Sequence, residues 1–486
     1  MNSKRVQLLP FQFSRFDNND YLLVNESGEY IFINKEEFNK LINENLTSES
    51  PYYYDLKSRH FINTEHLPET LEMVSAKYRT RKRFISDFTS LHMMVITLRC
   101  TNKCKYCQVS AEGDDAKGFD MSPEVARRVV DYIFKTPSHS IKIEFQGGEP
   151  TLNWETLKET VIYAKKVNKK YKKHLSFVVC TNLVKVDTRQ LLFFKKHKIN
   201  ISTSLDGPKN FHDKNRVLRN GKGTYDSVIK NMSDAFNILP RGEVNALMTT
   251  TIDNIDYLKE VIEEYVRLGF NGIFIRSLHP YGFAASNEGN LGYSAEYFVE
   301  KFEEALNFII QLNLTGTRFV EFYTSLLLTR ILTPFSTGFV DLQSPSGAGI
   351  SGVIYDHNGD VFPADEARML ARMGDRFFCM GNVFKDSYEQ IFGGRILHDI
   401  VSKSCVEIMP YCNSCVYRTY CGADPVRNYL ETGDILGKRP NDFCRKNKLI
   451  FDILFKKLKR NDPNEMDVFW SWISCKSIKE IRGEEA

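Results

Sequence analysis

The sequence lacks any apolar run near the ~18 residues that a membrane-spanning helix needs. Its first residues, MNSKRVQLLPFQF, also lack the apolar core of a signal peptide. Neither sign of charge dominates, because 65 Lys and Arg residues stand against 61 Asp and Glu residues, a formal net charge of +4. A basic surface for nucleic acid is therefore not predicted. We expect a cytoplasmic protein without a membrane or nucleic-acid partner.

The composition is otherwise that of an ordinary globular protein. The 486 residues are 42% hydrophobic and 26% charged, which predicts two to four domains and a sizeable core. The chain contains 11 cysteines. In a reducing compartment they favour metal or cluster ligation over a disulfide framework.

Three of these cysteines form a short motif with CxxxCxxC spacing. Cys100, Cys104 and Cys107 occur in the run LRCTNKCKYCQVS. Iron-sulfur clusters are normally held by four thiolates, so three on one loop indicate either a distant fourth ligand or an iron with an open position. An open iron can bind a substrate. The alternatives are a zinc site, which usually takes a fourth nearby ligand, or unrelated core thiols.

A second motif, GGEP at 147–150, follows the strand-like run IKIEF at 141–145, just as the cysteine motif follows MMVITL at 93–98. Together the two motifs resemble the radical S-adenosylmethionine (radical SAM) superfamily. The resemblance implies that the open iron chelates the methionine part of S-adenosylmethionine, and that an electron from the cluster releases a 5'-deoxyadenosyl radical. The glycines of GGEP are expected to let the backbone approach the methionine amine.

Strand-like and helical runs alternate over residues 90–315, which predicts a parallel sheet. The expected fold class is α/β, a partial (β/α)6 TIM-like barrel with chemistry at the carboxyl ends of its strands. The family resemblance extends the cofactor site to polar and backbone groups that follow these strands. The predicted cofactor-binding residues are Gln146, Gly147, Gly148, Glu149, Thr181, Asn182, Ser204, Asp206, Leu247 and Arg276.

Some of these roles rest on the resemblance alone. Ser204 and Asp206, in SLDGP, would face the cofactor ribose or the substrate, and main-chain atoms near Leu247 would cradle the adenine. Without the resemblance, SLDGP reads as an ordinary turn. Cys180 lies inside an apolar strand, which favours a buried thiol over a ligand. Cys379, Cys405 and Cys475 have no predicted role.

Residues 1–80 form a separate predicted domain, in which two strand-like runs flank a turn and a helical run follows. The pattern resembles the winged-helix modules of peptide-modifying enzymes, which capture a leader peptide by strand addition. A packing or dimerisation domain is the alternative. Bridging helices and a cysteine-rich cluster domain are expected over 316–450, and a helical tail over 451–486.

The cysteine-rich region carries Cys412, Cys415, Cys421 and Cys444, enough thiolates to saturate one cluster. It resembles the SPASM domain over residues 344–450, and a zinc ribbon is the rival reading because four cysteines also suit tetrahedral zinc.

Family members usually carry two auxiliary clusters in this domain. Here Ser346, Ala364 and Asp424 stand where the resemblance expects cysteines. All three missing ligands belong to the same cluster. The prediction is therefore two [4Fe-4S] clusters in all, one catalytic and one auxiliary.

The runs LHMMVITLRCTNKCKYCQVS, IRSLHPYGFA, DEARM and PVRNY most resemble the His-Xaa-Ser system peptide maturases. The resemblance implies hydrogen abstraction from a peptide substrate with a leader, a second radical SAM protein as partner, and an electron donor such as flavodoxin or ferredoxin. Asp365 matches a position where a carboxylate takes a proton from the substrate radical; otherwise it only bonds a nearby turn. Two alternatives stay open: sulfatase-type oxidation of Ser or Cys, and a catalytically silent partner that binds cofactor and leader.

Overall fold

The structure is a computed structural model that describes residues 6–64, 67–240, 242–278, 281, 288–437 and 440–484. The chain divides into two compact units. One comprises Met1–Ser86, Thr324–Gly347 and Val401–Ala486, and the other comprises Asp87–Tyr323 and Ala348–Ile400. Each unit is therefore assembled from segments that are distant in sequence. The four predicted domain ranges stay predictions.

The N-terminal segment is built on a three-stranded antiparallel sheet with the order β2-β3-β4. The predicted hairpin and its helix are present, and the side chain of Asn34 caps that helix by accepting from Glu37 N. Leu23, Ile33 and Phe38 belong to a core formed by this segment. The elements are β1 (Gln7–Leu8), β2 (Phe11–Arg15), β3 (Asp20–Asn25), β4 (Tyr30–Asn34), α1 (Lys35–Ile42), α2 (Tyr53–Ser58), β5 (Ile62–Asn63, paired with β1) and α3 (Leu67–Arg81).

The second unit contains the predicted parallel sheet. Six strands are parallel to their neighbours and lie side by side in chain order, which matches a partial TIM-like barrel. They are β6 (Leu91–Thr97), β7 (Ser140–Gly147), β8 (His174–Cys180), β9 (Ile199–Ser204), β10 (Val244–Thr249) and β12 (Ile275–Arg276); the short β11 (Gly272–Ile273) pairs instead with β13 (Val320–Glu321).

Amphipathic helices connect these strands. Pro123 and the capping side chain of Ser122 begin the first, whose Val129 and Ile133 are buried. The helices are α4 (Pro123–Ile133), α5 (Trp154–Tyr171), α6 (Thr188–His197), α7 (Lys209–Asn215), α8 (Tyr225–Ile238), α9 (Leu258–Arg267), α10 (Glu288–Leu291) and α11 (Ala295–Leu314). The next helix, α12 (Phe322–Leu332), follows β13 and belongs mostly to the first unit.

The same sheet continues with strands from beyond residue 315. β14 (Gly352–Tyr355) pairs parallel to β6, and β15 (Asp360–Phe362) and β16 (Gly381–Asn382) follow antiparallel. Three helices belong to this stretch: α13 (Asp365–Arg372), α14 (Tyr388–Phe392) and α15 (Arg395–Lys403). The pairing of β14 with β6 brings the segment that begins at Asp365 to the barrel sheet.

The C-terminal segment is helical, with α16 (Pro425–Thr432), α17 (Asp442–Arg460), α18 (Pro463–Ser474) and α19 (Ile478–Arg482). Phe469 and Trp472 of the predicted tail are buried. Among the residues described, no helix combines the length and apolar character needed to cross a bilayer.

Candidate functional site

The CxxxCxxC loop leaves the carboxyl end of β6 and is fixed by main-chain hydrogen bonds. Cys100 N donates to Glu112 O at 3.0 Å, and Lys105 N donates to Asn215 O at 3.0 Å. Burial, together with the smaller effect of the charges of Glu149, Cys104 and Cys107, raises the pKa of Cys100 to about 12. The three predicted thiols therefore belong to one neighbourhood at the end of the first barrel strand.

The GGEP segment packs directly on the strand that leads into this loop. Gly148 N donates to Thr97 O at 2.8 Å, and Glu149 N donates to Arg99 O at 2.7 Å. A Cβ added at Gly147 would lie 1.9 Å from Thr97 O, and one at Gly148 would lie 2.3 Å from Arg99 O. The two glycines are thus required by close backbone packing, in addition to the predicted approach to the cofactor amine.

Glu149 joins GGEP to the carboxyl end of β8. Its buried carboxylate accepts from Thr181 Oγ1 at 2.7 Å and from Asn182 N at 2.7 Å. Burial raises the pKa of Glu149, and these hydrogen bonds oppose that rise. Asn182 Nδ2 also lies 3.6 Å from Cys100 Sγ. Glu149, Thr181, Asn182 and Cys100, predicted from separate motifs, form one cluster.

The predicted residue Asp206 is held by two residues that the sequence analysis missed. Tyr106 Oη donates to Asp206 Oδ2 at 2.7 Å, and Arg216 Nη1 donates to Tyr106 Oη at 2.9 Å. Asp206 is completely buried, and burial raises its pKa to about 6. The charge of Arg216 opposes that rise, and it likewise opposes the rise that burial causes in the pKa of Cys104. Tyr106 lies within the cysteine motif, so this buried network fixes the position of the cysteine loop.

Replacing Tyr106 with Phe should destabilise the protein, because the buried Asp206 carboxylate then loses its best donor. We expect a loss of about 1–3 kcal/mol in the free energy of unfolding, measured by urea denaturation of cluster-free protein. The matched control is Tyr163→Phe, which removes a 2.9 Å hydrogen bond to Asp131 at a half-buried position. Equal losses in the two variants would contradict a special role for Tyr106.

A second polar group surrounds Cys180. Its thiol lies 3.4 Å from Glu144 Oε1, and the predicted residue Gln146 donates to the same carboxylate at 2.5 Å. Burial raises the pKa of Cys180, and the charges of Glu144 and Asp365 raise it further. Asp365 Oδ1 is 3.5 Å from Arg368 Nε. The Asp365 carboxylate, at the start of α13, is therefore close enough for its charge to act on the thiol at the end of β8.

The remaining predicted cofactor residues lie on neighbouring strands of the parallel sheet. Ser204 stands opposite Leu247, which is 36% exposed, and Arg276 stands opposite Thr249. Their positions agree with a surface at the carboxyl ends of β9, β10 and β12, and their ligand contacts stay predictions. Residues 279–280 and 282–284 of the IRSLHPYGFA run lie outside the described residues.

The four C-terminal cysteines share a second neighbourhood in the other unit. Burial raises the pKa of Cys421, and the charges of Cys412, Cys415 and Cys444 raise it further. Cys412 and Cys444 also line a small pocket together with Asp424. These contacts fit one site shared by all four thiols.

The three positions where cysteines were expected hold other groups. Ser346 is buried and its N–H donates to Ser404 Oγ at 2.9 Å. Ala364 precedes α13 as its N-cap residue. Asp424 caps α16 by accepting from Arg427 N at 2.9 Å and pairs with Arg427 Nε at 3.3 Å. Asp424 therefore has a structural role as a helix cap.

The donor sets suit iron-sulfur clusters. Among the described residues, no three His, Cys, Asp or Glu side chains converge on a point where one metal ion could sit. A four-iron cluster does not require its ligands to converge on one point, because each thiolate binds a different iron. The Cys100 loop offers three thiolates with amide donors from Asn102 and Asn182 at the sulfur of Cys100.

The family model for the "Radical SAM superfamily" matches residues 94–265, the span that holds the cysteine loop, GGEP and strands β7–β10. The chain carries a radical SAM domain. With the observed sheet and motifs, this confirms the superfamily, the α/β fold class and S-adenosylmethionine with one [4Fe-4S] cluster as the cofactors of a radical SAM enzyme.

Relatives extend the likeness beyond that domain. The chain is 23% identical over 387 residues to the cysteine-type anaerobic sulfatase-maturating enzyme of Clostridium novyi (strain NT), covering 76% of this chain and 96% of the relative. It is 23% identical over 261 residues to the radical SAM cyclopropyl synthase TigE of Paramaledivibacter caminithermalis, covering 51% of each.

Solved structures show the same fold. Native anSMEcpe with bound AdoMet and Cp18Cys peptide superimposes with a TM-score of 0.64 at 21% identity, over 76% of this chain and 98% of that one. SuiB of Streptococcus suis bound to precursor peptide SuiA gives a TM-score of 0.54 at 14% identity, over 90% of this chain and 100% of that one. The radical SAM protein is thus related to sulfatase maturases and peptide modifiers, and the likeness to His-Xaa-Ser maturases stays a prediction.

Proposed function

We propose that this radical SAM enzyme is a maturase that abstracts a hydrogen from a peptide substrate. One observation carries the proposal: the charge of the Asp365 carboxylate acts on the Cys180 thiol at the end of β8, the strand next to the one that ends in GGEP and two strands from the one that leads into the cysteine loop. A proton acceptor at the strand ends is what oxidation of a peptide side chain needs after hydrogen abstraction. Structural neighbours with bound peptides support the choice of substrate.

The chain's own residues have separate tasks in this proposal. Cys100, Cys104 and Cys107 would hold the catalytic cluster, which with S-adenosylmethionine supplies a 5'-deoxyadenosyl radical. Glu149 fixes GGEP against the loop, and Asp206 with Tyr106 fixes the loop itself. Arg216, a buried cation beside Cys104, holds the Tyr106 hydroxyl in this network. The protein supplies position and the exclusion of water, and the cofactor supplies the radical.

A sulfatase-type oxidation of Ser or Cys is the second candidate, supported by the relatives named above. Asp365 would be the proton acceptor in that reaction too. The test is to incubate the reconstituted enzyme with the precursor peptide that the likeness to His-Xaa-Ser maturases predicts beside its gene and, separately, with a sulfatase-derived peptide. A crosslinked or epimerised product of the first supports the proposal. An aldehyde formed only in the second would replace it with sulfatase maturation.

We infer that the chain holds two [4Fe-4S] clusters, and therefore about eight irons after full reconstitution. Cys412→Ala should leave about four irons, because the auxiliary site then lacks one of four thiolates. Cys475→Ala is the control, since Cys475 is exposed at the end of α18. Iron and protein are quantified on the same samples.

About twelve irons per chain, or a third cluster near Ser346 and Asp424, would contradict this count. Zinc at the four C-terminal cysteines, found by metal analysis of the purified protein, would replace the auxiliary cluster with a zinc ribbon. Asp424 is already engaged with Arg427, and Ala364 has no ligand atom.

The N-terminal segment is proposed to bind the leader of the peptide by strand addition at β2. Of the strands described, β2 pairs only with β3. Phe16 N donates to Asp20 O, so the antiparallel alternation points the main-chain groups of Phe13 and Arg15 away from β3. Phe13 is 49% exposed. An extended peptide could pair with this edge.

Phe13→Pro should weaken peptide affinity, because it removes an outward N–H, and should leave peptide-independent cofactor cleavage unchanged. In a hydrogen–deuterium exchange experiment, peptide binding should also slow deuterium uptake by the backbone amides of residues 11–15 and not by those of residues 478–482. Unchanged uptake and affinity would leave the segment with a packing role.

A further inference from the structure

The auxiliary cysteines lie beside exposed apolar side chains. Cys444 is in the first turn of α17, where the Asn441 side chain caps the helix by accepting from Cys444 N at 2.9 Å. Tyr411, next to Cys412, is 58% exposed, and Ile408 is 61% exposed. The cavity that Tyr411 lines also contains Cys412 and Cys444. An electron could therefore enter this site across a short distance from the surface.

Basic side chains lie beside the same cysteines, although Asp442 pairs with Arg445 and the charge of Asp452 also acts on Cys415. Arg445 and Lys448 are exposed on α17, and with Lys456 and Arg460 they are spaced to share one face of the helix. Burial raises the pKa of Cys444 and the charge of Cys415 raises it further, whereas the charges of Lys448 and Arg445 lower it. The basic residues of the first two turns are thus close enough to act on the proposed cluster ligands.

We propose that Ile408, Tyr411, Arg445 and Lys448 form an electron-entry patch, the docking surface for an acidic one-electron donor protein. The inference rests on the proposed auxiliary cluster. The donor loses one electron and the cluster gains it, passing from the 2+ to the 1+ state, with no proton or group transferred. Redox encounters are small and transient and rely on charge steering, which an apolar centre with a basic edge provides for an acidic partner.

The test compares charge reversals at two exposed lysines of the same helix. Lys448→Glu lies at the patch, and Lys456→Glu makes the same change about 12 Å further along the helix axis. Reconstituted enzyme is mixed with reduced flavodoxin in a stopped-flow instrument at low ionic strength. We expect Lys448→Glu to slow reduction about tenfold, within the range of electrostatic steering, and Lys456→Glu less than twofold.

Four further readouts separate the possible outcomes. High salt should remove the difference between wild type and Lys448→Glu, and reduced methyl viologen, a small cation, should not be slowed by the reversal. If wild type and Lys448→Glu both carry eight irons per chain and are reduced by flavodoxin at equal rates, the docking surface is wrong and the auxiliary cluster stands. If the reconstituted wild type carries only about four irons per chain, the auxiliary cluster itself is wrong. Weaker affinity for the precursor peptide with unchanged reduction would assign the patch to the peptide and overturn the proposal.

Discussion

Cys100→Ala is expected to abolish reductive cleavage of S-adenosylmethionine to 5'-deoxyadenosine. With two thiolates left on the loop, the catalytic cluster loses one of its three protein ligands. Cys100 is also the thiol on which Asn102 and Asn182 converge and beside which Glu149 is buried. The measurement is chromatographic detection of 5'-deoxyadenosine after anaerobic reconstitution and reduction.

Cys104→Ala and Cys107→Ala should have the same result, since the three thiolates act as one set. The control is Cys475→Ala, which removes an exposed thiol outside both predicted sets. Cleavage that persists in each of the three loop variants would remove the assignment of this loop as the cluster site. Loss of cleavage in the control would show that thiol replacement itself damages the protein.

Asp365→Asn is expected to lower peptide modification by about 10²- to 10⁴-fold, the usual contribution of a positioned general base. The amide keeps the size of the side chain and removes its ability to take a proton. Cofactor cleavage without peptide should continue, because Asp365 belongs to the Cys180 end of the site and not to the cysteine loop. Product formation is measured by mass spectrometry of the peptide beside 5'-deoxyadenosine from the same sample.

Glu389→Gln makes the same carboxylate-to-amide change at an exposed position of α14 and should leave both products unchanged. Modification by Asp365→Asn within about threefold of wild type, far below the range for a general base, would show that Asp365 has no catalytic role. Its contact with Arg368 would then be structural.

The barrel was predictable because each of its strands has a recognisable local sequence pattern. IKIEF and SFVVCT are short apolar runs before turns, and both lie in the parallel strands β7 and β8. The glycines of GGEP were recognised from the motif, and the need for them is visible only in the 1.9 and 2.3 Å contacts that a Cβ would make. The motif identifies the two glycines, and the backbone packing in the fold explains why a larger residue would not fit.

Long-range contacts escaped prediction for a physical reason. Tyr106 and Arg216 are 110 positions apart and meet at Asp206 because three buried polar groups must satisfy one another. Each looks ordinary in the sequence. The pairing of β14 with β6, which adds the segment before Asp365 to the barrel sheet, likewise depends on a partner more than 250 residues away. Periodicity and motifs do not encode such pairings.

Transfer of deuterium from a labelled precursor peptide into 5'-deoxyadenosine tests the central claim most directly. The likeness to His-Xaa-Ser maturases predicts a precursor peptide encoded beside the gene, and that peptide is made with deuterated side chains and α-carbons and incubated with the reconstituted, reduced enzyme. The account predicts 5'-deoxyadenosine that carries deuterium, together with a modified peptide, in wild type. Unlabelled 5'-deoxyadenosine with an unmodified peptide, formed while cofactor cleavage proceeds, would contradict hydrogen abstraction from that peptide.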